Sequence, residues 1–375
     1  MRDRRLPLTI TLAVLALVGA STALLVFDPR VTSAEALRTG GLAAGSVVAL
    51  YALWLNDRRR VVEERRQELE AERQRLDSER YALEQRRQEL EDRRTGHDRE
   101  RVADERFARS VELLGHEADQ VRVGALHALA GLAASSPAYT QTVLDVLCSY
   151  LRRPFDHPKW TWPGDLPEDD ADRPDIPHEV ERERHVRQTA QRLITDLLPT
   201  TGDDDPAVYD LDLTRAWLER FNLSNRVVGR IAAYRCRFRH TTNFKGARIH
   251  GDVALRDSRF LGRIRADGAV FHGGLQLHSC TTFEPCSFDG TEFHGTLDLK
   301  HVEAADRIYL RRTFFGGELD LRHARLDGGV EFSPRTDATR TYLHDIRVSG
   351  ESSVPVSWEL VASPDDGYLV RESAA

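Results

Sequence analysis

Catalytic signatures are missing from this 375-residue chain. It has no Gly-rich phosphate loop, no nucleophile elbow and no paired-histidine zinc-protease motif. Its four cysteines, Cys148, Cys236, Cys280 and Cys286, form no CxxC pair. That spacing excludes a thioredoxin-type or zinc-ribbon site and suits buried thiols in a reducing cytoplasm. A strong net charge is also lacking, at -7 overall. Between Asp57 and Ser110 there is no proline and one glycine, Gly96, so nothing there breaks a helix. Neither enzymatic activity nor a bound cofactor is expected. Hydrophobic residues make up 41% of the chain, which suits a core divided among several modules.

What the sequence does have is a period. From about residue 225 to 334 it repeats every 11 residues. The first column is small, as in Cys236, Ala247, Ser258, Ala269, Cys280 and Thr291. The third is large and apolar, as in Phe238, Ile249, Phe260, Phe271, Phe293 and Phe315. The seventh and ninth are apolar again, as in Val253 with Leu255 and Leu297 with Leu299. The fifth is mostly glycine, as in Gly251, Gly262, Gly273, Gly295 and Gly317. Alternate residues of a strand face opposite ways, so columns 1 and 3 share one inward face and 7 and 9 another. The glycine suits a corner that needs positive φ or close backbone approach. A constant period argues for a solenoid and against a sandwich, whose loops vary in length.

The unit divides into six plus five residues. It resembles the pentapeptide-repeat family: a small residue, a polar one, Leu or Phe, then two polar residues. The resemblance covers Leu211 to Pro334, counting the looser units LDLTR and FNLSN at its start, and is to the membrane-anchored, actinobacterial type. It implies an all-β, right-handed quadrilateral β-helix over 211–334. Coils of about 22 residues at about 4.8 Å spacing give about five coils, roughly 25 Å long. The extra residue in every second unit leaves the corner geometry open.

The expected architecture is multidomain. Residues 1–56 read as a two-helix transmembrane hairpin: Leu6 to Phe27 has no charge, and Leu37 to Leu55 has only Arg38. Arg2, Arg4 and Arg5 precede it and Arg58, Arg59 and Arg60 follow, which puts both termini in the cytoplasm of a multi-pass plasma-membrane protein. A cleaved signal peptide is the competing reading of the first run. Gly41 and Gly45 form a small-xxx-small pattern suited to close helix packing.

Residues 57–110 read as a charged, coiled-coil-like helix on the order of 65 Å long. Val62, Leu69, Leu76, Leu83 and Leu90 recur every seven residues, each followed four residues later by an Arg. The ladder supports either a homo-oligomer through this helix or a single helix held by Glu–Arg pairs. Residues 111–199 read as a helical, HEAT-like adapter, with Asp119 as an N-cap and a Pro-rich acidic linker at 154–177. The adapter is expected to cap the open end of the solenoid. A C-terminal cap and tail fill 335–375.

Two surface constellations stand out. His250, His272 and His294 share column 4 at 22-residue intervals, so they stack as a ladder. The ladder reads as a metal site, a pH-sensitive patch or an exposed column that accepts any polar residue. The second is the basic group Arg226, Arg230, Arg235, Arg237, Arg239, Lys245 and Arg248 in the early coils. Over Thr214–Pro334 there is a net excess of about five positive charges, so this rod cannot imitate a polyanion as acidic family members do. The sequence therefore points to a membrane-anchored, non-enzymatic scaffold for an unidentified protein partner. Its expected partners are the lipid bilayer, that protein and, on the pairing reading of the 57–110 helix, a second copy of itself. The alternative is regulation of a nucleic-acid-handling enzyme, or contact with anionic surfaces, through the basic coils; direct nucleic-acid binding is not expected.

Overall fold

The computed structural model describes residues 5–27, 33–157, 176–336, 338–355, 357–362 and 367–372. They fall into two compact units, Met1–Asp98 and Arg99–Ala375. In the first, helix α1 (Arg5–Phe27) lies against the start of α2 (Ser33–Leu114). Gly40 is the contact: a Cβ there would meet Ser21 Oγ at 2.2 Å and the Leu17 carbonyl at 2.7 Å. Gly41 and Gly45, singled out by the sequence pattern, have nothing within 4 Å. They face away from α1.

The apolar run and the charged run are one helix. Asp57, where the composition changes, is no break, because backbone hydrogen bonding is indifferent to side-chain polarity when neither Gly nor Pro intervenes. Val62, Leu69, Leu76, Leu83 and Leu90 are all at least half exposed along it.

In the second unit three helices precede the strands: α3 (Asp119–Ser135), α4 (Thr140–Arg152) and α5 (His178–Leu197). Asp119 is the first helical residue rather than the cap, which is Ala118. The helices bury Leu126, Leu129, Leu144, Leu147 and Ile194 among themselves and continue into the core of the first coil. Most of the Pro-rich acidic linker lies outside the described residues.

From Leu211 the chain winds through four parallel sheets, visited in turn. The first wall, beginning at Leu211–Asp212, has seven strands, and the second, beginning at Trp217–Glu219, has nine. The third and fourth, beginning at Thr242–Asn243 and Val227–Val228, have five each. The result is a β-solenoid of about six turns.

Coil length changes along it. Leu211 pairs with Ile231 and Trp217 with Arg237, an offset of 20 residues. Val227 pairs with Arg248, an offset of 21. Ile231 pairs with Val253 and Arg237 with Arg259, an offset of 22 that then persists. The first coil is therefore plain pentapeptide, and the 11-residue register starts at Ile231, not at residue 225. The added residues enter at two corners, between Phe238 and Thr242 and between Ile249 and Val253.

The two kinds of corner solve different problems. Five-residue corners carry one left-handed residue: Arg215, Arg220 and Asn225 in the first coil, then Arg235, Gly246, Asp257, Gly268 and Ser279. Six-residue corners carry the column-5 glycines, none of which after Ile231 has positive φ, although His240 and Gly329 at such corners do. There the requirement is space, since a Cβ on Gly273 would stand 2.5 Å from the carbonyl carbon of Gly251 in the coil beneath.

The small first column has a chemical role as well as a size limit. Cys236 Sγ and Cys280 Sγ donate to the carbonyls of Leu213 and Leu255, each at 3.0 Å. Ser258 and Thr291 donate likewise to Ala233 and Ala266, at 3.0 and 2.7 Å. All four cysteines are buried and unbridged, and burial pushes each thiol up to about 12.

The ladder also runs beyond Pro334, where the sequence pattern appeared to stop. Arg340–Tyr342 and Ile346–Val348 add a further turn in the same 22-residue register. The strand Tyr368–Glu372 then pairs antiparallel with Ile346–Val348, and Trp358–Ala362 pairs antiparallel with Tyr368–Glu372. Trp358 stacks on Phe332 at 4.6 Å, closing that end of the core.

Candidate functional site

An open solenoid end exposes a row of backbone donors and acceptors. Here the adapter helices occupy them. Gln141 of α4 takes both backbone groups of Asp210, donating to its carbonyl at 3.0 Å and accepting from its N–H at 2.9 Å. Gln191 of α5 accepts from the Glu219 N–H at 2.9 Å, and Thr195 donates to the Asn222 carbonyl at 2.6 Å. The Val227 N–H donates to the Pro199 carbonyl at 2.8 Å.

Glu219 is the centre of this junction. Its side chain is buried and accepts two hydrogen bonds from Arg184, at 2.7 and 2.8 Å, and one from Gln188 at 2.7 Å. His240 Nε2 lies 3.4 Å away. Burial opposes ionisation, but the hydrogen bonds from His240, Arg184 and Gln188 outweigh it and hold the carboxyl well below the usual range. Sequence reading placed the cap but missed Glu219, which in the repeat occupies an outward column and looks like any surface carboxylate.

The seven early-coil cations do not form one patch. Arg237 and Arg239 lie on the second wall and Arg248 on the fourth, while the other four lie off the strands. Arg226 donates to the Leu198 carbonyl at 2.8 Å and so belongs to the cap. Arg230 faces Asp210 at 3.7 Å and Arg235 faces Asp257 at 3.8 Å. Arg237 lies over the Trp217 ring at 4.5 Å, and Arg239 is buried. Lys245 is exposed.

The histidine ladder does assemble. His250 and His272 stack at 5.0 Å and His272 and His294 at 5.2 Å, with Phe314 next at 5.4 Å. Rings stacked face to face direct their nitrogen lone pairs side by side rather than toward a common point. Among the described residues no group of three or more His, Cys, Asp or Glu is arranged to hold a metal ion. Burial, followed by the neighbouring His250 and His294, lowers the pKa of His272.

The arrangement just described, coils of four five- or six-residue sides with small and large residues alternating inward, has a counterpart among known families. Residues 233–281 match the family described as pentapeptide repeats in nine copies. The chain is a pentapeptide-repeat-containing protein. No curated protein and no solved structure matches it. The matched stretch begins within the second coil, and the structure carries the pentapeptide-repeat solenoid outward from there, back to Leu211 and forward to Val348.

Two grooves flank the cap of this pentapeptide-repeat protein. One, of about 570 Å³, lies between α5 and the first coil, with Arg192 and Glu219 among its lining residues. The other, of about 710 Å³, lies where the end of α4 meets the corner between the first and second walls, and contains Arg152, Arg215, Arg235 and Arg256.

Proposed function

We propose that the protein is a membrane-anchored, non-enzymatic scaffold. In this reading α1 and the apolar start of α2 form a hairpin in the plasma membrane, with both chain termini on the cytoplasmic side. The charged remainder of α2 acts as a spacer, and the capped solenoid offers a rigid surface to a partner protein. The coil takes the right-handed sense general to parallel crossover connections.

One observation carries the proposal. α2 contains a span long and apolar enough to cross a membrane, with mean hydropathy 1.2 and only 6% of it buried by the protein itself. Leu37, Leu42, Leu50 and Leu53 are each more than 60% exposed. Apolar surface on that scale calls for a second apolar phase. The capped and plugged solenoid supports the scaffold half of the reading, because both ends are closed and the side walls are left as the working surface. The early-coil cations are spread over several walls and corners, which supports the scaffold reading over the nucleic-acid alternative.

Chemical cross-linking followed by pull-down of the full chain from its native membrane tests the proposal. A discrete cross-linked protein lost on mutating exposed wall residues is the expected result. Recovery of the chain alone under saturating cross-linking would overturn the scaffold role.

A further inference from the structure

The corner between the first and second walls carries a line of basic side chains. Arg256, His278, Lys300, Arg322 and His344 occupy the same position in five successive coils, 22 residues apart. Beside them, at the left-handed corner position, stand Arg235, His301 and His323. The imidazoles meet in sequence: His278 and His301 at 5.5 Å, His301 and His323 at 4.8 Å, His323 and His344 at 5.4 Å. At the cap end the line opens into the 710 Å³ groove, where Arg152 and Arg215 join Arg235 and Arg256.

The carboxylates along this edge are already engaged. Asp212 pairs with Arg152, and Asp257 faces Arg235 at 3.8 Å. Asp298 accepts from the Lys300 backbone N–H at 3.0 Å. Asp320 accepts from Arg322 Nε at 2.9 Å, and Asp345 lies 3.2 Å from His323 Nδ1. Permanent charges on the edge therefore nearly cancel, and the four imidazoles decide its sign. The pKa of His301 is lowered by partial desolvation and then by His323, His278 and Lys300. A bound anion would relieve that mutual repulsion and draw protons onto the edge.

We propose that this edge docks a linear phosphate polymer, inorganic polyphosphate in its simplest form, and that the histidines make binding strengthen as pH falls. One cation row per coil, at a rise of about 4.8 Å, suits a chain whose charge repeats along its length. Arginine forks at the groove end match phosphate oxygens. The polymer is one without bases. Tyr234 is overlain by Arg256 at 4.9 Å, and Tyr342 by Arg322 at 4.9 Å and Arg340 at 4.8 Å, so a base stacking on those faces would have to displace an arginine. This edge does not depend on membrane anchoring.

The test is calorimetric titration of the detergent-solubilised full chain with polyphosphate long enough to span the edge. Affinity should rise about tenfold or more from about pH 7.5 to about pH 5.5, with net proton uptake on binding. His301→Asn with His323→Asn keeps a residue tolerant of left-handed φ and should remove most of the pH increment while sparing binding at the higher pH. Arg256→Gln with Lys300→Gln should weaken binding at both. A single-stranded oligodeoxynucleotide of equal charge should bind more weakly. The proposal fails if binding takes up no protons, if it is indifferent to these substitutions, or if the oligonucleotide binds as tightly.

Discussion

Glu219 shows how one residue ties the adapter to the solenoid. Its carboxyl is held below the ordinary range by His240, Arg184 and Gln188 against the opposing effect of burial. A depressed carboxylate contributes stability that is fully present above its unfolded pKa of about 4.3 and is lost as pH falls through the folded value. Glu219→Gln removes one of the two carboxylates that Arg184 pairs with, Glu181 being the other, and should cost about 1–3 kcal/mol in thermal unfolding of the solubilised chain. It should also flatten the acid limb of the stability profile. Gly273 makes a different demand. Gly273→Ala places a Cβ 2.5 Å from backbone of the coil beneath and should cost about 2–3 kcal/mol, whereas Gly274→Ala, with its nearest neighbour at 3.4 Å, should cost less than about 1. The cysteines provide a third check. With thiols pushed up to about 12 by burial, none of the four should alkylate in the native chain, while a Ser279→Cys variant should label at that site alone.

At the scale of elements, the solenoid is built from two corner types and the helix from one exposed column. The inward columns were legible in the sequence because small and large residues recur at fixed spacing from Cys236, with Thr282 and Ala304 as exceptions in the large column. The short first coil was not, since Val227 and Val228 are both apolar and either fits the large column; only the pairing of Val228 with Ile249 decides it. Column-5 glycine was read as serving either positive φ or close approach, and the structure selects close approach, with positive φ assigned to the last column instead. The final turn was missed because the unit from Arg335 carries few large apolar residues, although Ile346, Val348 and Gly350 fall back into the columns. The ladder on α2 keeps its own question. Parallel pairing would bring Leu against Leu while stacking Arg66, Arg73 and Arg80 against their equivalents, a weak seam supported by Arg stems. If α2 pairs, Leu76→Cys should form a disulfide-linked dimer in membranes and Ser78→Cys should not. Equal or absent cross-linking at both positions would make α2 a single-helix spacer.

For the whole molecule, the architecture follows from closing what a repeat leaves open. A solenoid has two bare ends, and here the Gln141, Gln191 and Thr195 side chains occupy one while Trp358 and the antiparallel pair cover the other. The side walls remain, together with an apolar helical start that the protein does not bury. The seven cations picked out in sequence proved to be scattered, because neighbours along the chain pass round a corner every five or six residues. The edge row has the same 22-residue spacing as the histidine ladder but mixes Arg, His and Lys, so it repeats no single residue type. Alkaline carbonate extraction of membranes carrying the full chain, compared with a chain lacking residues 1–56, addresses the anchored-scaffold account most directly. The account predicts that the full chain stays in the membrane pellet and the shortened chain is released. Release of the full chain would contradict it.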